Sequence, residues 1–233
     1  MQRLLTPLTL AGLALVAVTP AAAQDNPMTF FITSSNPGNG ADLGGLEGAD
    51  AFCQTLAEAA GAGDLTWHAY LSTTGSGGVN ARDRIGDGPW YNHAGTLVAR
   101  DVEHLHSNGP NMTKGTILTE TGEQVNGRGD SPNQHDILTG STMEGMASDA
   151  DGDTTCGNWT SSGEGSALVG HHDRMGGGAN PSSFNSAHGS RGCSLENLRG
   201  TGGDGRFYCF AINGPSGEVE LALERFRRVS RAP

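Results

Sequence analysis

Four cysteines behind an export-type leader constrain this chain more than any other feature. Arg3 supplies a positive start, Leu4 to Val18 an apolar stretch, and Ala21-Ala22-Ala23 a small-residue cleavage site, the pattern of a secretory signal peptide. Cleavage after Ala23 would leave 233 − 23 = 210 residues. The expected division is a signal peptide over 1–23, one folded domain over 24–218 and a tail over 219–233. Cysteines pair in the oxidising space an exported chain reaches, whereas cytosolic thiols stay reduced. Four of them allow three pairings. Cys53 and Cys209 lie near the two ends of the mature chain, with Cys156 and Cys193 between them. The nested pairing, Cys53–Cys209 and Cys156–Cys193, closes both loops without crossing them and is the one expected.

Composition narrows the partners. With 25 acidic against 14 basic side chains, a formal charge of −11, the chain repels phosphate backbones and anionic lipid, so nucleic acid and heparin are not expected partners. Past the leader no apolar run approaches the ~20 residues of a membrane-spanning helix, so no membrane insertion is expected. Glycine, at 37 residues, is about twice its usual share, and 16 of the glycines fall between 140 and 205. Cys156, Trp159, Leu168, Val169, Phe184 and Cys193 recur through that stretch, and a disordered linker would not carry them. It reads as ordered loops with two or three short strands, the place where a rigid scaffold usually carries its binding groups.

Elsewhere the periodicity is clearer. Met28 to Ser34 is aromatic and β-branched and stops at Asn36-Pro37-Gly38, as a first strand would. Ala49, Phe52, Cys53, Leu56, Ala57 and Ala60 form one helical stripe between Gly48 and Gly61. Thr66 to Ser72 alternates as a strand with one buried face, and Arg206 to Ile212 is apolar on both parities, as a central strand would be. Thr96 to Ala99, Thr116 to Thr119 and Asp136 to Thr139 are short apolar pieces between turn residues.

These residues together resemble the endostatin-like domains that share the C-type lectin fold. Gly48-Ala49-Asp50-Ala51-Phe52-Cys53 and Ala69-Tyr70-Leu71-Ser72 look like that family's opening helix and second strand. Cys156 with Trp159-Thr160, Cys193, and Phe207-Tyr208-Cys209-Phe210 look like its later cysteines and last strand. The resemblance implies an α+β domain of C-type lectin type and the same nested cysteine pairing. It also implies a secreted or surface binding protein, some bacterial members being described as lectins or host-matrix adhesins. The ligand carries over less well than the fold. The Glu-Pro-Asn or Gln-Pro-Asp and Trp-Asn-Asp triplets of calcium-dependent sugar binding are absent, with Asn180-Pro181-Ser182 the nearest approach. The N-terminal histidines that hold zinc in endostatin have no counterpart in Gln24-Asp25-Asn26-Pro27, and its basic heparin face has none in an acidic chain.

Several constellations could carry chemistry. Asp149, Asp151 and Asp153 alternate, as oxygen ligands around Ca²⁺ do, although Thr154 and Thr160 stand where an EF-hand needs glycine and glutamate. An acidic turn without metal has the same composition. His104 and His106, His135-Asp136, His171-His172-Asp173 and His188 could hold zinc or move protons, or simply bond loop backbone. Trp67 and Trp159 read as core, whereas Trp90, in Gly86 to His93, is the tryptophan expected to meet a ligand. Arg128-Gly129-Asp130 is an integrin-type tripeptide made of ordinary turn residues. The ligand-binding set expected is Trp90, Asn158, His171, His172, Asp173, Asn185 and His188, gathered by the Cys156–Cys193 bridge. With neither HExxH nor GxSxG present, no catalytic residue is assigned and the chain is not expected to be an enzyme. The function expected is a secreted lectin-like protein binding carbohydrate or a glycoconjugate. An adhesin for an extracellular protein comes next, and a metal-dependent hydrolase third.

Overall fold

The computed structural model describes residues 27–107 and 110–214; the leader over 1–23 and the tail over 219–233 lie outside the described residues. The described chain is an α+β domain. Its first strand, β1 (Phe30–Ile32), precedes the main helix α1 (Gly45–Ala59) and then β2 (Trp67–Ala69). β3 (Trp90–Tyr91) and β4 (Leu97–Ala99) form a separate hairpin. After them come β5 (Asp136–Leu138), β6 (Leu168–His171), β7 (His188–Gly189) and the long β8 (Gly203–Ala211). The main sheet runs β1-β8-β5-β6-β7, with β2 also paired to β8. Among the described strand pairs β5 and β8 run parallel and the others antiparallel.

The central position of β8 follows from its sequence. Alternation sends Phe207, Cys209 and Ala211 to one face and Tyr208 and Phe210 to the other, and all five are buried. The first face joins α1, Trp67, Leu138 and both disulfides in one core. The second joins Phe30, Ile32, Tyr70, Trp90 and Ile137 in another. A strand buried on both sides has no solvent face to alternate with, which is why its pattern is continuous.

In α1, Ala49, Cys53 and Ala57 are the buried stripe, flanked by Phe52, Leu56 and Ala60. The helix begins a turn before the stripe, because Gly44 and Gly45, at φ 77° and 74°, turn the chain into it. Asp50 leaves the apolar face and accepts from the Ala69 N–H at 2.8 Å and from the Arg84 guanidinium at 2.7 Å, locking the helix to β2. In β2 the expected alternation ends at Ala69: Tyr70, Leu71 and Ser72 are all buried, because both cores meet there. Of the short apolar pieces, 116–119 forms isolated bridges and no strand.

Both disulfides pair as the nesting argument expects, Cys53–Cys209 and Cys156–Cys193. The outer bridge ties α1 to β8. The inner one anchors an unusual turn, Cys156–Trp159, whose four residues all take left-handed φ of 50°, 62°, 55° and 67°. Each non-glycine residue in that region costs about 1–2 kcal/mol. The turn persists because its surroundings hold it: Trp159 Nε1 donates to the Ser72 carbonyl at 2.8 Å, and the Asp153 carboxylate accepts from the Gly157 N–H at 2.9 Å.

The bridges span 156 and 37 residues. Chain-entropy arguments therefore make the C53S/C209S pair more destabilising than C156S/C193S by about 1 kcal/mol. Urea unfolding of the two double variants checks this, and a reversed order would show that strain release in the Cys156 turn outweighs loop closure.

Candidate functional site

The register of three strands assembles the site. β5 and β6 pair so that Asp136 faces His171 across the ladder, and β7 brings His188 opposite Val169 on the far side of β6. His135 immediately precedes β5. Three imidazole nitrogens thus converge on one carboxylate oxygen, with His135 Nε2 at 3.1 Å, His171 Nε2 at 3.4 Å and His188 Nε2 at 3.6 Å from Asp136 Oδ1. His171 Nε2 and His188 Nε2 are 3.1 Å apart, and the His135 and His171 rings stack with centroids 4.3 Å apart. His135, Asp136 and His171 are buried; His188 is partly exposed. Both Asp136 carboxylate oxygens are buried, and the charge they carry faces these imidazoles.

A second ring of groups orients the imidazoles. His171 Nδ1 bonds the Pro181 carbonyl at 2.8 Å, His188 Nδ1 the Gly189 carbonyl at 3.0 Å, and His135 Nδ1 the Asp173 carboxylate at 3.3 Å. A carbonyl only accepts, so His171 and His188 each carry hydrogen on Nδ1. Burial works against ionisation of Asp173, but His135 and the N–H groups of Arg128 and Met175 outweigh it and hold its carboxyl far below the usual range. The neighbouring Asp136 carboxylate raises the proton affinity of His188. Two glycines permit the packing: a Cβ on Gly170 would lie 1.8 Å from the Phe184 carbonyl oxygen, and one on Gly176 2.2 Å from the His171 ring. Chemically, three imidazoles and one carboxylate in a buried cluster can hold a cation or share a proton.

The cluster lies beneath an open cleft of about 530 Å³ whose wall includes Arg128, Asn133, His135, His188, Arg191 and Thr201. Arg191 is steadied at the rim by donating to the Gly200 carbonyl at 3.1 Å. The Arg128-Gly129-Asp130 turn borders this cleft: the Arg128 N–H bonds Asp173, and Asp130 is engaged by Lys114. A second cleft, of about 360 Å³, is lined by His106, Met143, Arg174 and Asn180 among others.

Of the expected ligand residues, His171, Asp173 and His188 come together here. The rest are placed differently. Trp90 has no exposed surface; its ring packs edge-on against Phe210, its Nε1 donates to the Ala211 carbonyl, and it offers no platform to a ligand. Asn158 clasps Thr74, accepting from its N–H at 2.8 Å and donating to its carbonyl at 3.2 Å, which stiffens the left-handed turn. Asn185 is buried, its amide donating to Tyr70 Oη and to the Thr142 carbonyl, each at 2.9 Å. His172 follows His171 on the strand and bonds the Asn126 carbonyl instead. Asp149, Asp151 and Asp153 are exposed; among the described residues the one group of converging His, Cys, Asp or Glu ligand atoms is His135, Asp136 and His171. Asp153 instead accepts N–H bonds from Thr155 and Gly157. Asp136 and His135 were not in the expected set, and the one signal for them was an adjacent His-Asp pair at the start of a strand.

No family model matches the chain, and no curated protein matches it.

His106, away from the cluster, gives the pH prediction. Its Nδ1 donates to the Val102 carbonyl at 2.7 Å, so its Nε2 accepts from Tyr70 Oη at 2.7 Å, and burial lowers its pKa. A histidine kept neutral by the fold contributes stability that is complete above the unfolded pKa of about 6.5 and is lost as pH falls through it. The melting temperature should drop between pH 7.5 and 5.5, and the drop should shrink in His106→Gln. An undiminished drop in that variant would place the sensitivity elsewhere.

Proposed function

We propose that this chain is a secreted lectin-like binding protein and that the cleft bordered by Arg128, His188 and Arg191 takes a carbohydrate. The observation that carries the reading is the character of that cleft. Arg128, Asn133, His135, His188, Arg191 and Thr201 line a cavity of about 530 Å³, within the range of small-molecule sites. Planar donors and acceptors of this kind match the adjacent hydroxyls of a sugar. Stacking would contribute little, since Trp67, Trp90 and Trp159 are all in the core. Large exposed apolar side chains among the described residues are Met143, Met146 and Met175, a poor set of anchors for a flat protein epitope. The adhesin reading therefore has less behind it.

Other features support the lectin-type fold and an extracytoplasmic setting. The opening helix, the strand after it and the last strand occur where the resemblance implies them, joined by nested disulfides of the kind that persist in oxidising compartments. No helix among the described residues is long and apolar enough to cross a membrane.

A glycan array probed with the full chain, with and without calcium, tests the function. Binding to a defined saccharide class is expected, and the Arg128→Ala/Arg191→Ala variant should weaken it at least ~10-fold, the equivalent of about 1.4 kcal/mol. No glycan bound, or binding indifferent to the double variant, would rule out this cleft as the carbohydrate site.

A further inference from the structure

We infer that His135, Asp136 and His171, with His188 as the fourth donor on the cleft side, form a binding site for a divalent late transition-metal ion of the zinc class.

Backbone carbonyls fix the tautomers of two of these rings. His171 and His188 each hold hydrogen on Nδ1, because each Nδ1 faces a carbonyl that can only accept. In the neutral rings both Nε2 atoms therefore present lone pairs, and these face each other at 3.1 Å. Both also face Asp136 Oδ1, a third electron-rich atom, at 3.4 and 3.6 Å. Lone pairs gathered this closely in a buried site repel unless something positive lies among them. One proton joins only two of these atoms. A metal ion satisfies several of them at once, and it also balances the charge of the buried Asp136 carboxylate.

The spacing agrees. A tetrahedral centre with bonds of about 2.0–2.1 Å holds its ligand atoms about 3.3–3.4 Å apart. Four of the six separations in the set, 3.1, 3.1, 3.4 and 3.6 Å, bracket that value, and His188 stands at the edge of the group. The ligand atoms of His135, Asp136 and His171 all lie within 4.8 Å of one another. The outer ring has the form that metal-bound imidazoles require, with the second nitrogen of every ring fixed by a carboxylate or a backbone carbonyl. The donor types choose the ion. Calcium takes six to eight oxygens, whereas three imidazoles and one carboxylate suit zinc and its late transition-metal neighbours. This assignment goes beyond the carbohydrate reading and does not depend on it, since metal uptake is measured with no glycan present.

The full chain, without a polyhistidine tag, stripped with chelator and returned to chelator-free buffer, is titrated calorimetrically with Zn²⁺; Co²⁺ uptake followed by visible absorption gives a second readout. One ion per chain is expected, with the absorption of a tetrahedral cobalt centre and no comparable heat from Ca²⁺. Asp136→Asn and His171→Gln should lower affinity at least ~100-fold, and Asp173→Asn, which touches only the second ring, about 10-fold. Asp149→Asn/Asp151→Asn should bind as wild type. His188→Gln, at the cleft surface, keeps the test informative if a buried variant misfolds: it should fold by circular dichroism and bind more weakly than wild type. Wild-type protein that takes up no Zn²⁺ below about 1 mM, or folded Asp136→Asn and His188→Gln that bind as tightly as wild type, would overturn the assignment.

Discussion

The burial of β8 on both faces is the constraint on which the rest of the molecule depends. A nine-residue strand with aromatic side chains on both parities can be stable only between two layers, and here Phe207, Cys209 and Ala211 serve one core while Tyr208 and Phe210 serve the other. That requirement recruits β1 and β2 to pair with it, α1 to cover one face, and the β3-β4 hairpin with Trp90 to cover the other. Removing a ring such as Phe207 or Phe210 would cost about 3–5 kcal/mol, a large share of the margin of an ordinary domain. The Cys53–Cys209 bridge acts at the same place, joining the helix to the strand it covers.

The remaining half of the sheet has a different character. β5, β6 and β7 are short and carry polar side chains at their ends, and long glycine-rich loops connect them. Glycine there is a packing device: at Gly170 and Gly176 a side chain would collide with the Phe184 carbonyl and with the His171 ring. The left-handed Cys156–Trp159 turn belongs to the same economy. An unfavourable backbone is held by a disulfide, an indole N–H and an aspartate, and in return the loop ends are fixed rigidly enough to support a site. Residues that read as ligand groups, Asn158, Asp153 and Asn185, are occupied with this support. Polar side chains in an ordered loop have buried backbone to satisfy, and that demand is met before any ligand arrives.

Local pattern carried much of the architecture. The helical stripe from Ala49 to Ala60, the two-sided run around Cys209 and the order of the cysteines each depend on periodicity or on position along the chain, and α1, β8 and both disulfides appear accordingly. Trp90 misled because its neighbours, Gly86 to Pro89 and Asn92, are turn residues, while its burial depends on Phe210, more than a hundred residues away. The alternating aspartates are a local pattern: all three are exposed, and among the described residues no group of converging His, Cys, Asp or Glu ligand atoms includes them.

What the sequence by itself determined is the set of faces: which residues of α1 and β8 must be buried, which cysteines can pair without crossing, and that the glycine-rich stretch is ordered. Those properties follow from short-range stereochemistry and the cost of exposing apolar surface. Only the tertiary structure decided the site. His135 and Asp136 meet His171 because β5 and β6 pair in one register, and His188 joins them because β7 adds to the far side of β6. A slip of one residue would turn each of these side chains to the opposite face. That register is set by packing across loops of 29 and 16 residues, a long-range choice that no local window of sequence contains.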